Sequence, residues 1–143
     1  ELTEIREMFE LRSASAFAAL AKDNPIWVDL DAIEQEHRDL LADISARYME
    51  FSELDEKFHR LVHRASRNRF IVDFYDVIAM IFHYHYQWNK ANAVNRNAVA
   101  AEEHLHYIEA LKSGDPARVD KACRRHLKSA RETLLQSIPE GRR

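Results

Sequence analysis

Leu54-Asp55-Glu56-Lys57-Phe58-His59 is the stretch from which the rest of the chain can be read. Asp55 and His59 are four residues apart, so on a helix they leave the same face about one turn from each other. Phe51, Leu54, Phe58, Leu61 and Val62 recur around them at helical spacing and form an apolar stripe. The two polar side chains lie on or beside that stripe, not opposite it, so the helix aims a carboxylate and an imidazole inward. Burying a neutral polar group without a partner costs about 2–7 kcal/mol, and a charge costs more, so the interior must supply partners.

The chain of 143 residues is long enough for one domain with its own core, and it contains only two glycines and three prolines. Pro25 and Pro116 fall between periodic segments, and no strand-like alternation is flanked by turn dipeptides. An all-α fold is expected, an antiparallel bundle of about six helices. The formal net charge is −3, with Lys and Arg interspersed among Glu and Asp, which argues against the chain itself being a nucleic-acid binder. One cysteine, Cys123, excludes an internal disulfide and fits a reducing cytoplasm. The most apolar stretch, Phe70 to Trp88, is interrupted by Asp73, Asp76, His83, His85 and Gln87 and reads as a buried helix, not a membrane span. The chain begins with Glu1, not Met, already inside a helical pattern, so an N-terminal portion is expected to precede it.

Periodicity predicts helices from Leu2 to about Ala21, with Ile5, Met8, Phe9, Leu11, Phe17 and Leu20 as the apolar positions, and from about Trp27 to Tyr48, with Ile33, Leu40, Leu41, Ile44 and Ala46 inward. The helix of Asp55 and His59 follows and ends at Ser66-Arg67-Asn68. Asn68 is placed to cap a helix from about Arg69 to Asn89. After a polar stretch from Asn89 to Asn97, another helix runs to Lys112. In Ser113-Gly114-Asp115-Pro116, Gly114 stops one helix, Asp115 caps the next and Pro116 suits its first turn; that last helix extends to about Ser137.

Eight histidines is a high count for a chain of this length, and helix phase sorts them. His104 is in register with Ala100, Ile108 and Leu111 and faces inward, whereas His106 is about 200° away and faces solvent. His126 shares a face with Val119, Ala122, Cys123 and Ala130. Asp55, His59, His104 and His126 are thus inward-facing groups of ligand type on three helices, a donor set suited to one divalent transition metal. The other reading of the same residues is a set of separately hydrogen-bonded core histidines. His63 lies one turn beyond His59, and His83 and His85 diverge by about 200°, so at most one of these two can line a pocket. Di-iron bundles need several glutamates at Glu-x-x-His spacing, whereas the inward set here offers one acid and three histidines, and a His-Glu-x-x-His helix and a cysteine pair are both missing.

Four stretches together resemble a known family: Phe9-Glu10-Leu11-Arg12; Leu54 to His59 with Asn68; Glu103-His104-Leu105-His106-Tyr107-Ile108-Glu109-Ala110-Leu111 with Gly114-Asp115; and Ala122 to His126-Leu127. They are similar, in order and over nearly the whole chain, to the FCD domain, the ligand-sensing C-terminal domain of GntR-type bacterial transcription factors named after the fatty-acid regulator FadR. The resemblance implies that Asp55, His59, His104 and His126 hold a divalent ion, zinc first, with nickel or manganese as alternatives. It also implies that Arg12 points into the cavity to hold an effector carboxylate, that the domain forms a homodimer, and that a winged helix-turn-helix DNA reader, absent from residues 1–143, precedes it. The glutamate often found one turn after that arginine is here Ala16.

The expected function is therefore a non-enzymatic, cytoplasmic effector-sensing and dimerisation module for a small organic or sugar acid. Arg12 and Arg96 would supply charge-assisted hydrogen bonds to the acid, and Tyr84 or Tyr86 would shape the cavity wall. DNA would be bound only through the missing domain, and no membrane is involved. The rivals are a metal-dependent hydrolase and a helical dimerisation module stapled by a purely structural metal.

Overall fold

The computed structural model describes residues 2–88 and 92–137, with side chains for residues 2–81 and 92–136. Its elements are α1 (Leu2–Ala18), α2 (Ile26–Ala42), a single turn α3 (Ile44–Arg47), a 3-10 turn (Tyr48–Glu50), α4 (Phe51–Arg64), α5 (Arg69–Trp88), α6 (Ala93–Ser113) and α7 (Pro116–Ser137). Six long helices form an all-α bundle, and no strand occurs among the described residues. In this bundle α7 lies along α6 and α1, while α4 is held between α1 and α2. No helix of the described residues is long and apolar enough to cross a membrane.

The core is built from Phe17, Leu30, Ile33, Leu40, Phe58, Val62, Tyr107, Ile108 and Leu111, each nearly or fully sealed from solvent. On α4 the buried face is Phe51, Leu54, Phe58, His59, Leu61, Val62 and His63, the apolar stripe with both imidazoles inside it. The inward face of α1 differs from the expected one. Arg6, Glu10, Ser13, Ala14 and Phe17 are buried, whereas Met8 is 61 % exposed. The spacing is still helical, but half of this stripe is polar because it faces the imidazoles of α4 and α7 instead of an apolar wall.

The helix expected from Trp27 to Tyr48 stops at Ala42. Asp43 adopts φ −137°, ψ 42°, and the chain continues as α3 and the 3-10 turn before α4 begins. No Gly or Pro marks this break. α6 starts at Ala93, earlier than expected, after Asn92 at φ 55°, a left-handed conformation that asparagine tolerates better than most residues. Asn97 lies inside that helix, and its side-chain amide donates to the Tyr48 carbonyl at 2.8 Å, tying α6 to the 3-10 turn.

The remaining punctuation follows the sequence. Asn68 Oδ1 accepts from the Phe70 amide at 3.0 Å at the head of α5, and Asp115 Oδ1 accepts from Ala117 at 2.9 Å at the head of α7. Gly114, at φ 67°, returns its N–H to the Leu111 carbonyl and turns α6 into α7 within two residues. A Cβ at Gly114 would meet only the Ala18 carbonyl at 3.8 Å and Lys22 Nζ at 3.9 Å, so space is sufficient and backbone conformation is the constraint. Gly114→Ala is expected to lower the unfolding free energy by about 1–2 kcal/mol, measured by urea denaturation, with no change at the buried histidines.

Candidate metal centre

α4 presents Asp55 and His59, α6 presents His104, and α7 presents His126, with one donor atom of each within 4.8 Å of the others. His126 Nε2 lies 3.1 Å from His59 Nε2 and 3.3 Å from His104 Nε2. Asp55 Oδ1 lies 3.4 Å from His104 Nε2 and 3.7 Å from His59 Nε2. Nitrogen and oxygen ligands of zinc sit at about 2.0–2.1 Å, which places neighbouring donors of a tetrahedron about 3.3–3.4 Å apart. The separations here are on that scale. The residues brought together are the four that helix phase selected.

Each imidazole turns its other nitrogen to a second group. His59 Nδ1 is 2.7 Å from Glu10 Oε1, His104 Nδ1 is 2.8 Å from His37 Nε2, and His126 Nδ1 is 3.4 Å from Glu103 Oε2. The contacts of His59 and His104 are hydrogen bonds, whereas the His126–Glu103 separation is an ion-pair distance without one; outer acceptors of this kind orient metal-binding histidines by taking the Nδ1 proton and leaving Nε2 as a lone pair. With all three rings in that form, the Nε2 lone pairs facing one another in a dry interior would repel, and a cation between them would remove the conflict. The donor set, one carboxylate oxygen and three imidazole nitrogens, suits a divalent transition metal.

Burial, reinforced by the neighbouring imidazoles, holds His104 well below the ordinary histidine range. Burial also lowers His126, against the opposing pull of Glu103. Burial alone would raise Glu10, but His59 and His63 outweigh it and keep this fully enclosed carboxylate ionised. Glu10 Oε2 lies 3.0 Å from His63 Nε2, the Tyr107 hydroxyl donates to Oε1 at 3.4 Å, and His63 Nδ1 meets the Ser13 hydroxyl at 2.8 Å. Tyr75 covers this group with its ring centroid 4.7 Å from that of His63. The three imidazoles are essentially sealed and Asp55 is 28 % exposed, so the centre meets solvent on the Asp55 side.

Arg12 is a correction: it lies on the exposed face of α1, about 200° around the helix from Glu10. The guanidinium at the centre belongs to Arg6, buried one turn before Glu10, with Nη2 donating toward His59 Nε2 at 3.4 Å. Arg96 is half-buried on α6, two turns before His104. Tyr84, together with His83, His85 and Tyr86, lies outside the residues whose side chains are described. Glu103, next to His104 in the chain and about 100° around the helix from it, is buried against α7, beside His126 Nδ1, and accepts from Ser129 Oγ at 2.7 Å. Arg6, Glu10 and His37 were missed, although all three sit at core spacing on their helices and could have been found by the phase test applied to His104.

A cleft of about 340 Å³ between α6 and α7 reaches His126 from outside, past Glu103. It approaches the Nδ1 side of that ring, so it does not open onto the converging Nε2 atoms.

The FCD domain profile matches residues 1–129. This chain belongs to the FCD domain family. It is 35 % identical over 143 residues to "Probable HTH-type transcriptional regulator LgoR" of Escherichia coli (strain K12), a match covering 100 % of the chain and 47 % of that protein. The chain thus spans about half the length of the curated relative it matches. A solved structure, the metal-free FCD domain of TM0439, superposes with a TM-score of 0.74 at 25 % identity, covering 96 % of this chain and 91 % of that one. FCD domains belong to transcriptional regulators and are not enzymes, which removes the hydrolase reading.

An unfolded imidazole takes up its proton near pH 6.5, while His104 and His126 in the fold resist protonation to lower pH. The unfolded chain therefore binds more protons below about pH 6.5, and stability must fall as the solution is acidified through that interval. The metal-free protein is expected to unfold at a lower urea concentration at about pH 5 than at about pH 7.5, and zinc affinity should decline over the same interval. A flat midpoint together with flat zinc affinity would contradict this assignment. His104→Ala and His126→Ala should each abolish stoichiometric zinc binding, read by equilibrium dialysis.

Proposed function

We propose that this FCD domain is the effector-binding and dimerisation part of a cytoplasmic GntR-type transcription regulator, sensing a small organic or sugar acid through a divalent metal held by Asp55, His59, His104 and His126. The observation that supports it most is the convergence of three Nε2 atoms and one carboxylate, with every Nδ1 directed to an outer partner. When bound, the ion would supply Lewis-acid affinity for an anionic oxygen. The chain's residues prepare the rest. Glu10 offsets Arg6, and Asp55 and the Glu103 carboxylate behind His126 offset the dication, so what suits an entering carboxylate is the local positive charge of the ion and of Arg6 and not a net charge of the centre. Arg6 provides a guanidinium for a charge-assisted hydrogen bond to that carboxylate, and Arg96 would reach the far end of a longer acid.

Signalling would run through α1. Its inner face carries Arg6, Glu10 and Ser13, each within hydrogen-bonding or ion-pair reach of a histidine of α4, so an acid that engages Arg6 changes how α1 packs. The acid must bind the two packings unequally for anything to switch. DNA recognition would belong to a winged helix-turn-helix domain outside residues 1–143, and a homodimer would set the spacing of two such readers on an operator.

Thermal melting against a panel of organic and sugar acids, with and without zinc, tests this reading. An acid at about 100 times its dissociation constant should add about 2.7 kcal/mol, and only to the zinc-loaded protein. Arg6→Gln is expected to retain zinc and lose most of the acid-induced shift, while Arg12→Ala keeps both. A zinc-dependent rise in midpoint with no response to any acid would favour the structural staple, and an unchanged acid response in Arg6→Gln would remove Arg6 from the effector site.

A further inference from the structure

His37 belongs to neither the donor set nor the motif spacing, yet it is fully buried on α2 and touches the centre. Its Nδ1 lies 2.7 Å from the Ile33 carbonyl oxygen, one turn back on the same helix, and its Nε2 lies 2.8 Å from His104 Nδ1 on α6. A carbonyl oxygen only accepts, so His37 Nδ1 carries a proton. His37 is fully buried, and its two ring nitrogens face only a carbonyl and another imidazole with no carboxylate to balance a charge, so the ring is neutral, its one N–H is spent at Nδ1, and Nε2 is a lone pair that accepts. The proton in that bond therefore belongs to His104 Nδ1. A neutral imidazole has one N–H, which leaves His104 Nε2 as a lone pair directed at His126 Nε2, 3.3 Å away, and Asp55 Oδ1, 3.4 Å away.

We infer that His37 is a positioning residue: starting from a backbone carbonyl of α2, it fixes His104 as the Nδ1–H tautomer and aims Nε2 into the donor centre. The role rests on the metal reading only for its purpose; the hydrogen-bond chain stands without an ion.

His37 differs from the other two outer partners in kind. Glu10 and Glu103 are carboxylates, and a carboxylate accepts from an Nδ1–H equally well whether the far nitrogen is bare or protonated, while its charge favours the protonated ring. His37 is neutral and orders the proton without that bias. Its ring also meets Phe58, with centroids 6.0 Å apart, and Phe58 is 4.5 Å from His104, so an aromatic wall holds both imidazoles in place. A glutamine at this position would keep an acceptor oxygen for His104, whereas a leucine would keep bulk and remove the acceptor.

Nitrogen-15 NMR of the histidine rings in the metal-free protein gives the first readout, and zinc titration against a chromophoric chelator gives the second. The expected result is His104 protonated at Nδ1 in the wild type, zinc affinity about 10–100-fold weaker in His37→Leu, and recovery of most of that loss in His37→Gln. Wild-type His104 protonated at Nε2 would overturn the inference, and so would unchanged zinc affinity in His37→Leu. Equal losses in the leucine and glutamine variants would assign His37 to packing and overturn it as well. If His37→Leu does not fold, the wild-type spectrum decides alone. If the wild type binds no zinc, the metal reading fails while the tautomer still decides the relay.

Discussion

Three imidazole nitrogens pointing at one spot in a dry interior is the arrangement around which the rest of this bundle is built. His59, His104 and His126 come from three helices, so helix packing, and not a local loop, produces the convergence. A buried polar atom left without a partner costs about 1–3 kcal/mol, and a protein of ordinary stability has only about 5–15 kcal/mol in total. That pressure accounts for the outer partners. Glu10, His37 and Glu103 each face one outward nitrogen; Tyr107, the Ile33 carbonyl and Ser129 in turn meet those partners, and Glu10 also meets His63, whose other nitrogen reaches Ser13. The polar core is a set of short chains that start at the centre and end on hydroxyls or backbone.

The fold serves this arrangement through a few decisions along the chain. The break at Asp43 lets α4 begin at Phe51 with Asp55 and His59 in phase with its apolar face. Gly114 and Asp115 turn α6 into α7 so tightly that His104 and His126, 22 positions apart, meet across the hairpin. α1 brings a polar stripe where an apolar one would otherwise pack. Because Glu10 faces both His59 and His63, α1 and α4 are joined by polar contacts to a buried carboxylate as well as by Phe17 and the other apolar residues around it.

Much of this was legible in the sequence because it depends on helical period. The donor quartet, the α6–α7 turn and the cap at Asn68 all follow from residue type and phase. What escaped depended on context that period does not carry. The break at Asp43 uses neither Gly nor Pro. Arg12 was assigned inward through family resemblance, while phase counted from Glu10 puts it outside and Arg6 inside. The same count, with Leu30, Ile33 and Leu40 as references, places His37 in the core, so its burial was readable. Its partner was not, because His37 and His104 are 67 residues apart and only the bundle brings them together.

Arg6 is the residue that separates a sensing centre from a staple. Its guanidinium lies 3.4 Å from His59 Nε2, so an ion held by that nitrogen would face a second cation at close range. At 4 Å two unit charges in a partly polar interior interact by about 4 kcal/mol, repulsive when their signs match, and a dication doubles it. A purely structural site gains nothing from that conflict, and an apolar side chain at position 6 would avoid it. An anion between the ion and the guanidinium reverses the sign of both contacts and makes Arg6 an asset. On this reasoning the proposed effector, as a third and negatively charged party, would turn the buried arginine from a liability beside the ion into a partner.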